Sequence, residues 1–517
     1  MELDELSTHD NDTNQADKIA ASQDEATERL IQPALGRTEP PKSKYKRPVS
    51  LNRFWTAVLS LLLVLLLIAL VVIWYTNTHA AGALSNPKLR SNGTSTFAPT
   101  TLLISLDGFR ADFLLRGLTP TLNSFVADGI SPRWMLPTFP SVTFTNHYTL
   151  ATGLYAESHG IVSNTFWDPA LGERFTYAND TISMVPKWWG GEPLWVTTER
   201  QGVRTAVHMW PGSEAGIGDL QPTFLDKFNG EEVLTKKTAR ILELLDLPGD
   251  QDEADGLALR RPQFIAAYVP VVDVNGHRFG PNSTEVNTTL QEVDEMFGNL
   301  LEGLRARNLT DIINVVVVSD HGMATTSTER LIQLDDLLDV DLIEHIDGWP
   351  NYGLRLKDPS TTEKIYDDLR GKANGNPNFE VYLRDQNMPE KYHFSNNPRI
   401  APLWLVPRTG WAILLAKDFD VAAAKASGQV YSPRGVHGYD HEHPLMRAIF
   451  IAKGPAFPHK ANSRVDVFQN TEVYNIICDS LSVTPGPNNG TLRLPLRPAG
   501  LHSDPTATKL EALEDFP

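Results

Sequence analysis

The stretch Ile312–Met323 reads IINVVVVSDHGM. Ile313 and the four valines Val315 to Val318, broken only by Asn314, stop abruptly at Ser319-Asp320-His321-Gly322. A short branched apolar run between polar residues predicts a strand buried on both faces, as in parallel sheets. Such strands carry ligand chemistry at their carboxyl ends in open α/β sheets. Asp320 and His321 stand at that end, and adjacent carboxylate and imidazole groups can face one metal ion. The fold then depends on whether other strands bring matching ligands to the same edge.

They do so in order along the chain. TLLISL, residues 101–106, is a buried-type strand ending at Asp107-Gly108. Residues 203–207 form a second, leading into His208-Met209-Trp210-Pro211-Gly212, and residues 263–269 a third, running on to Asp273. AIFIA, residues 448–452, closes the set. Helical patterns at 120–128, 144–152, 232–245 and 284–305 lie between them. Strands alternating with helices predict an α/β fold with a mostly parallel central sheet and helices on both faces. Residues 335–435 are less regular, richer in Pro, Asn and charge, and read as an inserted cap subdomain.

Composition bounds the rest. The 517 residues are 41% hydrophobic and 9% aromatic, enough for one large domain with appendages. A net charge of −17 disfavours a stable nucleic-acid complex. It leaves small phosphate substrates open, because a bound cation inverts the local field. Cys478 is the only cysteine, so no intrachain disulfide forms.

Residues 1–53 read as a disordered cytoplasmic tail. It ends in Lys42, Lys44, Lys46, Arg47 and Arg53, followed by the uncharged segment FWTAVLSLLLVLLLIALVVIWY, Phe54–Tyr75. Its length matches a transmembrane helix, and Trp55, Trp74 and Tyr75 sit at the two interfaces. The cations precede it, so the positive-inside rule predicts a single-pass type II membrane protein with the rest of the chain extracellular or lumenal. The final membrane, whether plasma membrane, vacuole or Golgi, is open. Residues 76–98 read as a stalk, 99–502 as the main domain and 503–517 as a C-terminal tail. Six glycosylation sequons, at Asn92, Asn179, Asn282, Asn287, Asn308 and Asn489, fall on the predicted lumenal side.

Asp107, Asp273 with His277, Asp320 with His321, and His437 each lie near an apolar run. Three carboxylates and three imidazoles suit Zn²⁺, and six ligands suffice for two ions with positions left open. Two metals about 4 Å apart clamp the attacking and leaving oxygens of an in-line displacement at phosphorus. In PTFPSVTFTNHYTLATG, residues 137–153, Thr143 begins a helical pattern where free N–H groups favour phosphate. It is a candidate nucleophile, or else an ordinary N-cap.

Taken together, SLDGFR, PTFPSVTFTNHYTLATGLYAESHGIVSN, DVNGHRFGP, SDHGM, GVHGYDHEHPLMRAIFIAKGPAF and the late PNNGT resemble the nucleotide pyrophosphatase/phosphodiesterase family of the alkaline phosphatase superfamily. The resemblance implies an alkaline-phosphatase-like fold and two Zn²⁺ per catalytic domain. One ion is expected on Asp273, His277 and His437, the other on Asp107, Asp320 and His321, with Thr143 as metal-activated nucleophile. Asn164 is expected to hold the transition-state oxygen beside a backbone N–H. Phe144 and Phe228 fall where nucleotide-cleaving members hold the base, and Trp210 lies in a nucleotide-branch pocket motif. The undeleted TFWDPALGERF after Asn164 points the same way. Gly190 stands where such members carry Lys in a Lys-Gly-Glu-Pro run, leaving Lys187 as the nearby cation, and Val271-Val272 replaces a Glu-Pro pair. The chain resembles the fungal form with a catalytic domain alone.

The expected activity is hydrolysis of nucleotide pyrophosphate and phosphodiester bonds through a threonine-linked nucleotidyl intermediate, on small nucleotide substrates and without a protein partner. The alternative is a phospholipid-headgroup diesterase or phosphomonoesterase on the same metals.

Overall fold

The computed structural model describes residues 51–80, 88–218, 220–252, 259–505 and 515. Residues 1–50 of the expected tail, part of the stalk and most of the segment 503–517 lie outside them, while residues 51–53, expected in the tail, begin a helix. The described residues separate into two units, the helix Leu51–Ala80 and the body from residue 88 onward. Within that helix side chains are described for residues 55–56 and 58–71, all exposed except the half-buried Val58. Among the described residues no helix is long and apolar enough to cross a membrane.

The body is built on a nine-stranded mixed sheet. From one edge its strands are Gly500–Leu501, Ser463–Arg464, Ile130–Ser131, Phe450–Lys453, Ile313–Val318, Thr100–Leu106, Phe264–Val269, Thr205–His208 and Phe224–Asp226. The last five run parallel, with Val316 beside Leu103 and Leu103 beside Ala266. Every residue of Ile313–Val318 is buried. Alternate side chains of a strand point to opposite faces, and the core divides accordingly. Leu103, Val316 and Val318 join one apolar cluster, while Leu102, Ile104, Val315 and Val317 join the other.

Helices cover both faces. Thr143–Thr152, Leu194–Arg200 and Glu472–Ser480 supply Leu150, Trp195 and Ile476 to the first cluster. Pro120–Asp128, Leu234–Asp246 and Thr284–Ala306 supply Phe125, Leu244 and Leu290 to the second. Thr284–Ala306 shows why the helical pattern is legible: Val286, Leu290, Val293, Phe297, Leu300 and Leu304 recur every three or four residues, all buried. Ser283 caps it by accepting from the Val286 N–H.

Two strands run against the others, the edge strand Gly500–Leu501 and the interior strand Phe450–Lys453. Phe450–Lys453 pairs antiparallel with Ile313–Val318, Val317 facing Ile451. The chain therefore enters this strand from the edge that the parallel strands leave. His437, which precedes the strand, thus reaches the same edge as Asp107 and Asp320, which follow theirs.

Three expectations change. Asp273 does not prolong a strand: Phe264–Val269 ends, and Val271–Phe279 is a helix with Asp273 and His277 one turn apart. The segment read as a stalk holds regular structure: helix Leu51–Ala80 runs into it, Arg90–Ser91 pairs with Thr96–Phe97, and the Arg261 guanidinium lies 3.6 Å from the Phe97 ring centroid. Residues 335–435 are regular: Ile343–Asp347, Tyr352–Leu356, Leu403–Pro407 and Phe379–Leu383 form, in that order, an antiparallel sheet with its own apolar cluster. Helix Thr362–Gly375 packs Ile365, Tyr366 and Leu369 into that cluster.

Candidate active site

Thr143 is the first residue of its helix, and Val142, not Thr143, holds the N-cap position. Its hydroxyl is therefore not spent on capping. It lies 3.2 Å from His321 Nε2. The side-chain oxygen of Asn164 accepts from the Phe144 N–H at 3.1 Å, fixing the amide against the first turn. The helix N-terminus, a hydroxyl and a side-chain amide thus share one place, which suits an incoming phosphoryl group.

Around this hydroxyl the six sequence-identified ligands converge. His277 Nε2 lies 3.4 Å from Asp273 Oδ2, and His437 Nε2 lies 3.5 Å from Asp273 Oδ1. His277 and His437 bring their Nε2 atoms to 3.1 Å. His321 Nε2 is 3.0 Å from Asp320 Oδ2 and 3.6 Å from Asp107 Oδ1. The His321 and His437 rings stack at 3.6 Å between centroids. Two compact triplets able to hold an ion emerge among the described residues: Asp273–His277–His437 and Asp107–Asp273–His321. Asp273 belongs to both triplets, whereas the resemblance assigned it to one ion alone, and Asp320, expected beside Asp107, belongs to neither although its Oδ2 lies 3.0 Å from His321 Nε2.

The surrounding bonds show what the cluster is set up to hold. His321 Nδ1 is paired with the Gly322 carbonyl, His277 Nδ1 with that of Gly435 and His437 Nδ1 with that of Ser141, at 2.8–2.9 Å. A carbonyl can only accept, so each Nδ1 carries the proton and each Nε2 offers a lone pair to the cluster. Asp107 Oδ1, Asp273 Oδ1 and Asp320 Oδ2 are buried with no hydrogen-bond partner. Buried anionic oxygens left unpaired beside imidazole lone pairs carry a large cost unless a cation joins them. The donor set fits a borderline metal ion such as Zn²⁺.

The carboxylates and imidazoles perturb one another strongly: burial lowers His321, but Asp320 outweighs it and holds that imidazole above its ordinary range. Burial, reinforced by Asp320 and Asp273, holds the Asp107 carboxyl well above its ordinary range. Burial pushes Asp320 the same way, but the imidazoles of His321 and His147 outweigh it and hold Asp320 well below. Burial together with the neighbouring His321 and His277 holds His437 well below the usual imidazole range, as a ligand requires.

Two contributors escaped the sequence reading. Tyr268, near the end of its strand, donates its hydroxyl to Asp107 Oδ2. His147, one turn after Thr143, pairs its Nδ1 with the Thr143 carbonyl at 2.9 Å and its Nε2 with Ser105 Oγ at 2.9 Å. The same Nδ1 stands 3.2 Å from Asp320 Oδ2. The i, i+4 spacing of Thr143 and His147 was the available signal.

Gly108 makes the convergence possible. It adopts φ +68°, and a Cβ there would come within 2.9 Å of the Asp273 Cα. Gly108→Ala is expected to cost about 1–3 kcal/mol of stability and to displace Asp107 or Asp273. Thermal unfolding together with metal content checks this, since both fall if the close approach matters.

The residues expected to meet a base divide. Phe144 is half-buried, its ring edge-on to Tyr177 at 5.6 Å and tilted against Trp189 at 6.1 Å. Phe228 is 53% exposed, which excludes a core role, and its ring lies 6.2 Å from Tyr268. Trp210 is buried, and its indole N–H donates to the His147 carbonyl at 3.1 Å. It supports the nucleophile helix from behind and presents no face to a ligand. Lys187 does not substitute for the cation absent at Gly190: it pairs with Glu173 and lies over the Trp188 ring.

With this geometry in view, similarity to known proteins is decisive. Residues 101–440 match the family described as type I phosphodiesterase / nucleotide pyrophosphatase. The chain belongs to that family. It is 45% identical over 414 residues to an uncharacterised pyrophosphatase/phosphodiesterase of Schizosaccharomyces pombe, covering 79% of this chain and 82% of the relative. It is 36% identical to human ectonucleotide pyrophosphatase/phosphodiesterase family member 1 and to a venom phosphodiesterase of Macrovipera lebetinus. Those matches cover 76% and 75% of this chain but 41% and 44% of the relatives, so the chain spans under half their length. Among solved structures, murine ectonucleotide pyrophosphatase/phosphodiesterase 5 superposes with a TM-score of 0.67 at 32% identity, over 76% of this chain and 97% of the other. An inactive threonine-to-alanine form of that mouse protein has been solved with AMP bound, at the same TM-score and identity. The sheet order described above is thus an alkaline-phosphatase-like α/β fold, and the chain is a nucleotide pyrophosphatase/phosphodiesterase by family.

Proposed function

We propose that this protein hydrolyses nucleotide pyrophosphate and phosphodiester bonds, cleaving a nucleoside triphosphate to the monophosphate and pyrophosphate. The observation that carries the reading is the Thr143 hydroxyl 3.2 Å from His321 Nε2, within a cluster of three imidazole lone pairs and three unpaired carboxylate oxygens. Asp107, Asp273, His277, Asp320, His321 and His437 would hold two Zn²⁺ ions, with Thr143 Oγ1 at their edge. When bound, the ions supply Lewis-acid stabilisation of the entering and departing oxygens and lower the hydroxyl pKa.

The chain's own residues do the rest. The Thr143 hydroxyl gives its proton to solvent and Oγ1 attacks the α-phosphorus; a Thr–O–P bond forms as the bond to the leaving phosphoryl oxygen breaks, that oxygen departing with the bonding pair. The Asn164 side chain and the first-turn N–H groups steady a non-bridging oxygen as charge gathers on it. Water then displaces the threonine oxygen, releasing the nucleoside monophosphate and restoring the hydroxyl. Phe144 and Phe228 stack the base, a contact worth ~1–3 kcal/mol that tolerates any base. The AMP-bound, inactive threonine variant of the mouse neighbour supports both the nucleotide and the nucleophile.

The enzyme is anchored as a type II membrane protein through Phe54–Tyr75, its catalytic body extracellular or lumenal. Supporting this are the basic residues before the segment, the exposed leucines of the helix, and six sequon asparagines that are all exposed or half-buried. Turnover of ATP, a dinucleoside polyphosphate, a lysophospholipid and p-nitrophenyl phosphate, measured side by side, tests the substrate class. The nucleotides are expected to dominate; preference for the lysophospholipid or the monoester would overturn the reading.

A further inference from the structure

Phe228 is exposed, yet its loop is firmly held. The loop leaves strand Phe224–Asp226 and re-enters order at Glu232, just before helix Leu234–Asp246. Both ends meet one buried imidazole. His208, 2% exposed at the end of its own strand, places Nδ1 2.9 Å from Asp226 Oδ2 and Nε2 2.7 Å from Glu232 Oε1. The ring thus faces a carboxylate at each of its nitrogens. Inside the loop the Phe228 N–H donates to Glu214 Oε1 at 2.8 Å and the Glu231 N–H to Asn229 Oδ1 at 3.0 Å. The loop is therefore tied at both ends by His208 and along its length by short bonds, with the Phe228 ring standing clear of it.

We propose that His208 is a positioning residue for nucleotide specificity: it clasps Asp226 to Glu232 and so holds the exposed Phe228 ring, 6.2 Å from that of Tyr268, in place to stack on a base. The inference rests on the nucleotide-stacking role given to Phe228 above. The side-chain partners of His208 are Asp226 and Glu232, neither a metal-ligand candidate, and it stands two residues before Trp210 of the pocket motif. Each carboxylate also has a second partner. Arg240 reaches both oxygens of Asp226, at 2.9 and 3.2 Å, and the buried Lys237 ammonium lies 3.3 Å from Glu232 Oε1. Losing the imidazole therefore strands no ionised group, and a variant there folds while its loop loosens. The same imidazole precedes Met209, which sits at φ +65° before the buried Trp210, so the clasp and the support behind His147 share one strand end.

The test compares two diesters on the full-length enzyme: p-nitrophenyl thymidine 5′-monophosphate, which carries a base, and methyl p-nitrophenyl phosphate, which does not. His208→Gln is expected to raise KM for the nucleotide ester roughly 5- to 10-fold, part of a stacking contact, with little change in kcat. Its kcat/KM for the base-free ester should stay within about twofold, because the groups around phosphorus are unmoved. Glu232→Gln, which keeps shape and an acceptor, should move the nucleotide KM in the same direction. In a double-mutant cycle with Phe228→Ala the effects should not add, since His208 acts through the ring.

Equal losses on both esters would assign His208 a general structural role and overturn the proposal, as would additive effects with Phe228→Ala. If Phe228→Ala selects between the esters and His208→Gln does not, the clasp fails and the stacking reading stands. If Phe228→Ala treats both esters alike, the stacking reading fails and takes the clasp with it.

Discussion

Thr143→Ala is expected to abolish pyrophosphate release from ATP, lowering kcat by roughly 10⁴-fold or more, as removal of a covalent nucleophile does. Thr143→Ser, which keeps the hydroxyl and loses only a methyl, should retain a substantial fraction of the rate. The fold should not register either change. Val142 holds the N-cap and the Thr143 side chain is half-buried, so the thermal midpoint should stay near that of the wild type. Metal content should also persist, because six protein ligands remain. An alanine variant that turns over ATP at the wild-type rate would remove Thr143 from the mechanism.

The second large effect concerns Asp273. Its carboxylate lies within reach of His277 and His437 on one side and of Asp107 and His321 on the other. Asp273→Asn is therefore expected to reduce metal content at both positions and to cost at least about 10²–10³-fold in activity. His277→Asn should remove metal from one position only. The sign of the stability change supplies an independent readout. Without metal, Asp107 and Asp320 stand in one buried pocket with Asp273; burial first, and repulsion from Asp320 and Asp273 after it, raise the Asp107 carboxyl. Taking one charge away relieves that repulsion. The metal-stripped Asn variant should then melt above the metal-stripped wild type, while the metal-loaded order is reversed. Elemental analysis with thermal unfolding in both states checks this. An Asn variant that keeps both metals would show that Asp273 serves neither position.

How much of this was legible depends on how local each signal is. Ile313–Val318 declares itself because branched side chains on both faces admit a buried strand and little else. The glycines and polar residues at its end mark where the strand gives way to ligands. The helix carrying Asp273 does not declare itself. Val271-Val272-Asp273-Val274 has strand propensity, and only the tertiary requirement that Asp273 and His277 face one point overrides it. His437 reached the right edge for a reason absent from its own surroundings: the strand it feeds runs antiparallel, a property of the whole sheet. The same holds for residues 335–435. Tyr352 pairs with Leu405 and Phe379 with Pro407 across long stretches of chain, so short strands between Pro- and Asn-rich turns looked irregular. Tyr268 and His147 were passed over because each acts by holding a ligand or the nucleophile helix, which no motif advertises.

The central claim is that phosphorus is transferred first to Thr143 and then to water. The stereochemical course at phosphorus tests it most directly, using a nucleoside triphosphate made chiral by sulfur at the α-phosphorus and hydrolysed in isotopically labelled water. Two successive in-line displacements invert twice, so the account predicts overall retention in the nucleoside thiomonophosphate. Net inversion would mean that water attacks phosphorus directly, and would contradict it.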